Sequence, residues 1–93
     1  MTLYHGTTYW AAREIEEHGL EGIMIYATTD EAEAERYAVL RAEERGDGPV
    51  VIKIAADMDF WTAAAGPTHF VTFDPVPPTA IRDIWEVEAE EAA

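Results

Sequence analysis

The chain has 93 residues, 48% of them apolar, and carries six Lys and Arg against nineteen Asp and Glu, a net charge of −13. That length makes one domain with a modest core, burying about 60–65% of the surface its unfolded form exposes, and the apolar share argues against disorder. The charge disfavours direct binding to nucleic-acid phosphate, and the absence of cysteine excludes disulfides and thiolate chemistry.

Residues 2–5 read as a first strand. Thr7 and Thr8 are each placed to cap a helix that runs to about His18, with Ala11, Ala12 and Ile15 on one face and Arg13, Glu14, Glu16 and Glu17 facing outward. Gly19 supplies the residue that ends this helix, and Leu20 folds back on Ile15. Residues 23–27 form a second strand. Thr28 and Glu31 fit a capping box, with Asp30 as a competing cap. The second helix is expected over 30–45, with Ala34, Tyr37, Ala38 and the stem of Arg41 inward and Glu31, Glu35 and Glu43 in solvent.

Gly46-Asp47-Gly48-Pro49 breaks that helix. Residues 50–55 are β-branched and nearly continuous, as a central strand requires. Residues 56–68 lack periodicity, although Met58, Phe60 and Trp61 are too apolar for a free linker. His69 to Phe73 alternates as a strand, the proline-rich run from Asp74 to Pro78 stops it, and residues 80–88 alternate again. The expected domain covers residues 1–88, followed by an acidic tail over 89–93. Two early helices and a late series of strands predict an α+β domain with a mostly antiparallel sheet. No apolar run approaches the length of a membrane helix, and a first strand starting at residue 2 leaves no room for a cleavable leader. The expectation is a cytoplasmic protein without membrane contact.

His5-Gly6-Thr7 at the end of the first strand, Tyr26 within Ile25-Tyr26-Ala27, and Tyr37 eleven residues later form an ordered set. With the segment from His69 through Pro75-Val76-Pro77-Pro78 to Ile81, they resemble the ADP-ribosyltransferases of the His-Tyr-Glu type, notably the poly(ADP-ribose) polymerase branch. The resemblance covers nearly the whole chain. It implies two N-terminal helices packed on a split sheet, with NAD as substrate bound between the half-sheets, and no metal. It implies that His5 reaches the adenosine ribose and that the backbone of Gly6, next to Thr7, meets the nicotinamide amide. Tyr26 and Tyr37 would stack on the nicotinamide ring, and Arg13 or Arg36 would contact the pyrophosphate. Two positions depart from the family. His69 stands where active members hold the glutamate that stabilises the oxocarbenium-like centre, and a neutral imidazole brings no full negative charge there. Ala34 stands where the polymerase branch tends to place a serine.

The implied activity is cleavage of the nicotinamide–ribose bond and transfer of ADP-ribose to an unknown acceptor. His5, Tyr26 and His69 would form the catalytic set, with His69 holding the 2′-hydroxyl or acting as base. The alternatives are a non-catalytic NAD or ADP-ribose-binding module and an acidic protein-binding inhibitor. The related RNA 2′-phosphotransferases need a set of arginines that this acidic chain does not show. Taken singly, each tyrosine and histidine also fits an ordinary structural role. His5, His18 and His69 have no zinc-type spacing. Glu86 and Glu88 share a strand face and read most simply as a charged edge.

Overall fold

The computed structural model describes residues 1–22, 24–64 and 66–88. Ile23, at the head of the expected second strand, and the acidic run 89–93 lie outside the described residues. Among the described residues the chain forms β1 (Thr2–Thr8), α1 (Tyr9–His18), β2 (Ile25–Thr28), α2 (Glu31–Arg45), β3 (Pro49–Ala55), β4 (Thr62–Ala63), β5 (His69–Thr72), a 3₁₀ turn (Pro78–Ala80) and β6 (Ile81–Glu86). The strands make one six-stranded sheet in the order β4-β5-β2-β1-β3-β6, antiparallel at every pairing. The result is an α+β fold with one helix on each face of the sheet. No described helix is long and apolar enough to cross a membrane.

Alternation along β1 and β3 explains the layering. Leu3, Val50, Ile52 and Ile54 point to one face, where Ala12 and Ile15 of α1 close over them with Ile25, Trp61 and Val76. Val51 points to the other face, onto Ala34 and Ala38 of α2. Both faces of β3 are therefore covered, and its run of β-branched residues is that of a strand without a solvent side. Trp61, within the segment read as irregular, is buried in the α1-side core, while Phe60 beside it is exposed. Residues 62–63 of that segment add a short strand to β5. On the α2 side Tyr4 meets Trp85 edge to face, ring centroids 6.2 Å apart at 76°. Such a pair is worth about 0.5–1.5 kcal/mol beyond its buried area.

The helix starts differ from the sequence reading. Thr8 stands at the N-cap of α1, but its side chain makes no capping bond. Asp47 caps instead, from 37 residues away: its Oδ2 accepts from Trp10 N at 2.9 Å, while Gly48 O accepts from Tyr9 N at 2.8 Å. The Trp10 amide also holds the Asp47 carboxyl below the usual range. For α2, Asp30 is the cap, accepting from Ala32 N at 2.9 Å and Glu33 N at 3.4 Å. Thr28 turns its oxygen to Asp30 N at 3.0 Å and so does not cap the helix. Gly46 ends α2 in the left-handed conformation, φ 67°.

β1 and α2 pack backbone against backbone. A Cβ on Gly6 would lie 2.3 Å from the Ala34 carbonyl oxygen and 2.8 Å from Ala38 N. Both obstacles are helix backbone, which cannot swing aside. With alanines at 34, 38 and 42 buried along the facing row, α2 lies directly on the strand. Gly6→Ala is expected to lower stability by about 1–3 kcal/mol, the usual penalty for overpacking. Gly48→Ala, whose Cβ would sit 3.9 Å from its nearest neighbour, should change it by less than about 0.5 kcal/mol. Urea denaturation of the two variants beside the wild type checks the contrast.

Candidate functional site

The close seating of α2 on β1 and β3 leaves the same face of β2 and β5 only partly covered. Its flanking stripe, Glu33, Arg36, Tyr37 and Leu40 at spacings of three and four, stands beside that surface. Between them lies a hollow of about 520 Å³, lined by Tyr4 and Gly6 from β1, Tyr26, Ala27 and Thr28 from β2, the α2 stripe with Ala34, and His69 from β5. Tyr26 and Tyr37 are 52% and 48% exposed, and Leu40 is 58% exposed. A core role would bury these side chains; here they form walls open to solvent. Tyr37 therefore sits beside the inward row of α2, not on it as its sequence position suggests. Its ring already carries a cation, with Arg41 Cζ 5.8 Å from the ring centroid.

The polar end of the hollow is a connected network. The β2–β5 register sets Thr28 opposite His69. His69 Nε2 lies 2.8 Å from Glu33 Oε2, with the two side chains 46% and 24% exposed. Thr28 Oγ1 donates to the same carboxylate oxygen at 3.3 Å, its lone pair being taken by the Asp30 amide. Thr68 Oγ1 lies 3.3 and 3.4 Å from the two Glu33 oxygens and 3.4 Å from His69 Nδ1. Glu33 is thus a half-buried carboxylate held from several directions, the condition under which a charge can be kept in place at a partly apolar site.

The residues expected at the site fall into two groups. Gly6, Tyr26, Tyr37 and His69 line one hollow, and Arg36 stands at its side. His5, Thr7 and Arg13 do not. The two-residue period of β1 turns His5 and Thr7 away from Gly6, toward the α1 face. Arg13 lies on α1, where its guanidinium rests on the Tyr9 and Trp10 rings at 5.9 and 5.8 Å. The whole sheet separates it from the hollow. Gly6 has the helix backbone against it, so close packing by itself accounts for the missing side chain.

His5 has its own place at a gap in the sheet. β1 pairs with β3 along its full length but with β2 at the single position Tyr4↔Thr28. Beyond that point the imidazole bridges the two strands, with Nδ1 2.7 Å from the Tyr26 carbonyl oxygen. A carbonyl only accepts, so Nδ1 carries the proton and Nε2 is left as an acceptor. His5 lines a second hollow, shared with Glu14, His18, Glu21 and Arg41. It meets the first site through the backbone of Tyr26.

Sequence reasoning passed over Glu33, Tyr4, Thr28 and Thr68. The signal for Glu33 was present: Asp30 is the residue that caps α2, so Asp30-x-x-Glu33 has the spacing of a capping box, and Thr28-x-x-Glu31 does not start the helix. In the usual box the acid returns to the amide of the cap residue. Here Thr28 occupies that amide, which frees the Glu33 carboxylate for the hollow. No group of acidic or imidazole side chains among the described residues could hold a metal ion. The chain matches no protein-family model, and no curated protein is significantly similar to it.

Burial of the His5 imidazole predicts a pH dependence. Burial pushes the His5 imidazole below its ordinary value of 6.5; the Tyr26 carbonyl opposes this, and the Arg41 charge adds to it. A group harder to protonate when folded contributes fully above its unfolded value and loses that contribution as pH falls toward the folded one. Wild type should therefore lose stability relative to His5→Asn, whose amide can donate but does not titrate, as pH drops from 7.5 to 5. Urea midpoints of both proteins at the two pH values provide the comparison, and parallel changes would count against burial of the imidazole.

Proposed function

We propose that this chain binds NAD in the hollow beside α2 as an ADP-ribosyltransferase-like protein. The observation that carries the reading is the meeting of Tyr26, Tyr37 and His69 around one open hollow of about 520 Å³. These side chains come from β2, α2 and β5, and two of them are exposed aromatics. Aromatic walls with a few convergent polar groups are the usual make-up of a small-molecule site. The split between β1 and β2 supports the same reading.

In this reading the flat nicotinamide ring enters between the tyrosine walls. A pyridinium there gains stacking and cation–π attraction of about 1–2 kcal/mol once desolvated. Arg36, on the same helix stripe, faces the pyrophosphate as a cation. His69 stands at the ribose end of the hollow, with its Nε2 against the Glu33 carboxylate. The bond between the ring nitrogen and the ribose carbon breaks with both electrons leaving on nicotinamide, which departs neutral. The positive charge passes to the ribose carbon. An acceptor nucleophile then donates an electron pair to that carbon and gives up its proton to a base or to water. His5 contributes indirectly, by holding the Tyr26 backbone.

The second reading, a module that holds NAD or ADP-ribose without reacting, is favoured by one specific observation. An imidazole stands where the resemblance calls for a carboxylate. Nicotinamide release from NAD, followed together with calorimetric titration of NAD and ADP-ribose, separates the two. Release that falls at least about tenfold in His69→Ala supports transfer or hydrolysis. Binding without release in any acceptor mixture supports the module. In either case Tyr37→Ala should weaken NAD binding by about five- to thirtyfold, the equivalent of losing 1–2 kcal/mol. Absence of both binding and release would remove the nucleotide from consideration.

A further inference from the structure

We infer that Glu33 supplies the negative charge of this site and that His69 is its positioning residue. The inference rests on the nucleotide reading above and gives the missing carboxylate a source in a different element. His69 stands at the start of β5, but the anionic oxygen 2.8 Å from its Nε2 belongs to the first turn of α2. Two threonine hydroxyls lie within 3.4 Å of the same carboxylate. That carboxylate and the Tyr26 and Tyr37 rings line the same hollow.

The chemistry follows from the placement. When the glycosidic bond breaks, positive charge moves from the pyridinium to the ribose carbon. A fixed carboxylate in a partly apolar recess favours that charge more than water does, because it needs no reorientation as the charge develops. A carboxylate lining the same hollow as the aromatic walls also favours a cationic ring over a neutral one in the ground state. His69 cannot supply either effect, since an imidazole is neutral or positive. Its contribution is to hold the Glu33 side chain through Nε2, leaving free lone pairs on the carboxylate for a ligand hydroxyl. The Asp30 amide, by engaging Thr28, completes the arrangement, so the cap of α2 and the orientation of the acid are coupled. The resulting division of labour is unequal: Glu33 is the catalytic residue, and His69 is replaceable by another donor.

The assay compares Glu33→Gln, His69→Asn and wild type in two measurements. In nicotinamide release, Glu33→Gln should lower kcat by about 100-fold or more, as loss of a charge-stabilising group does, with KM for NAD within about threefold. His69→Asn, whose amide can still donate to Glu33, should keep kcat within about tenfold of wild type. Equal loss in the two variants, or an active Glu33→Gln, overturns the assignment. The second measurement does not depend on turnover. Binding of 1-methylnicotinamide cation and of neutral nicotinamide is titrated by calorimetry. Glu33→Gln should lose about tenfold or more in affinity for the cation and less than about threefold for the neutral ring, which also serves as the control for folding. If wild type releases no nicotinamide but shows this charge-selective loss, the carboxylate assignment stands and catalysis is what fails. If both ligands weaken equally, or wild type binds neither, the assignment is wrong.

Discussion

The backbone contact between Gly6 and the Ala34–Ala38 turn sets the arrangement of everything else. A helix with alanines along its inner row and a strand with glycine beneath it can approach until carbonyl oxygen and Cα nearly touch. That distance determines how far α2 stands above the sheet and which side chains project past its edge. With any larger residue at position 6 the helix would rise or tilt, and the stripe of Glu33, Arg36, Tyr37 and Leu40 would move with it. The stripe is held at one height over β2 and β5, so its side chains reach Thr28 and His69. A buried core does the structural work on the other face, where leucine, isoleucine and tryptophan pack under α1. The α2 face uses small residues and leaves space.

That asymmetry places the site on one side of a very small domain. The α1 side is filled, and on the other face α2 lies mainly over β1 and β3. The hollow is the part of the sheet that a single short helix cannot cover. Its walls are aromatic and its end is polar, and the polar groups are tied into the same hydrogen bonds that start α2. Asp30 caps the helix, Thr28 engages Asp30, and Glu33 is turned toward His69. Local helix initiation and site geometry are therefore one network, and a change at Thr28 or Asp30 would be felt in both. The histidine bridge at the split of β1 from β2 belongs to the opposite face. It joins the site through the Tyr26 carbonyl, which it holds at 2.7 Å.

Much of the fold was legible from the residues. The period of α1, the glycine stops at 19 and 46, the β-branched run of β3 and the proline break after β5 each reflect short-range preferences that tertiary contacts did not override. The boundaries shifted where a distant group intervened. Thr8 looked like the cap of α1, but Asp47 performs that function from the far side of α2. Trp61 looked like part of a loop, but a buried indole in the core settles the path of that segment. The site was legible in part. Tyr26, Tyr37 and His69 were identifiable as residue types in order, and they do share a hollow. Arg13 and His5 were not placed by that order, because which face of the sheet carries the hollow depends on where α2 packs.

What the sequence determined by itself is the set of elements: alternation and helical period are local, and a few residues suffice to express them. It also determined the acidity, the lack of thiols and the aromatic residues available for a ligand. Only the tertiary structure decided which of those residues meet. The strand register set Thr28 across from His69, the glycine–alanine contact set Glu33 above them, and the two-residue alternation of β1 sent His5 to the opposite face. The register and the helix contact depend on segments far apart in the chain, and they decide which face the local alternation serves. A single residue of slip in register would exchange the faces, so no local pattern could have specified them.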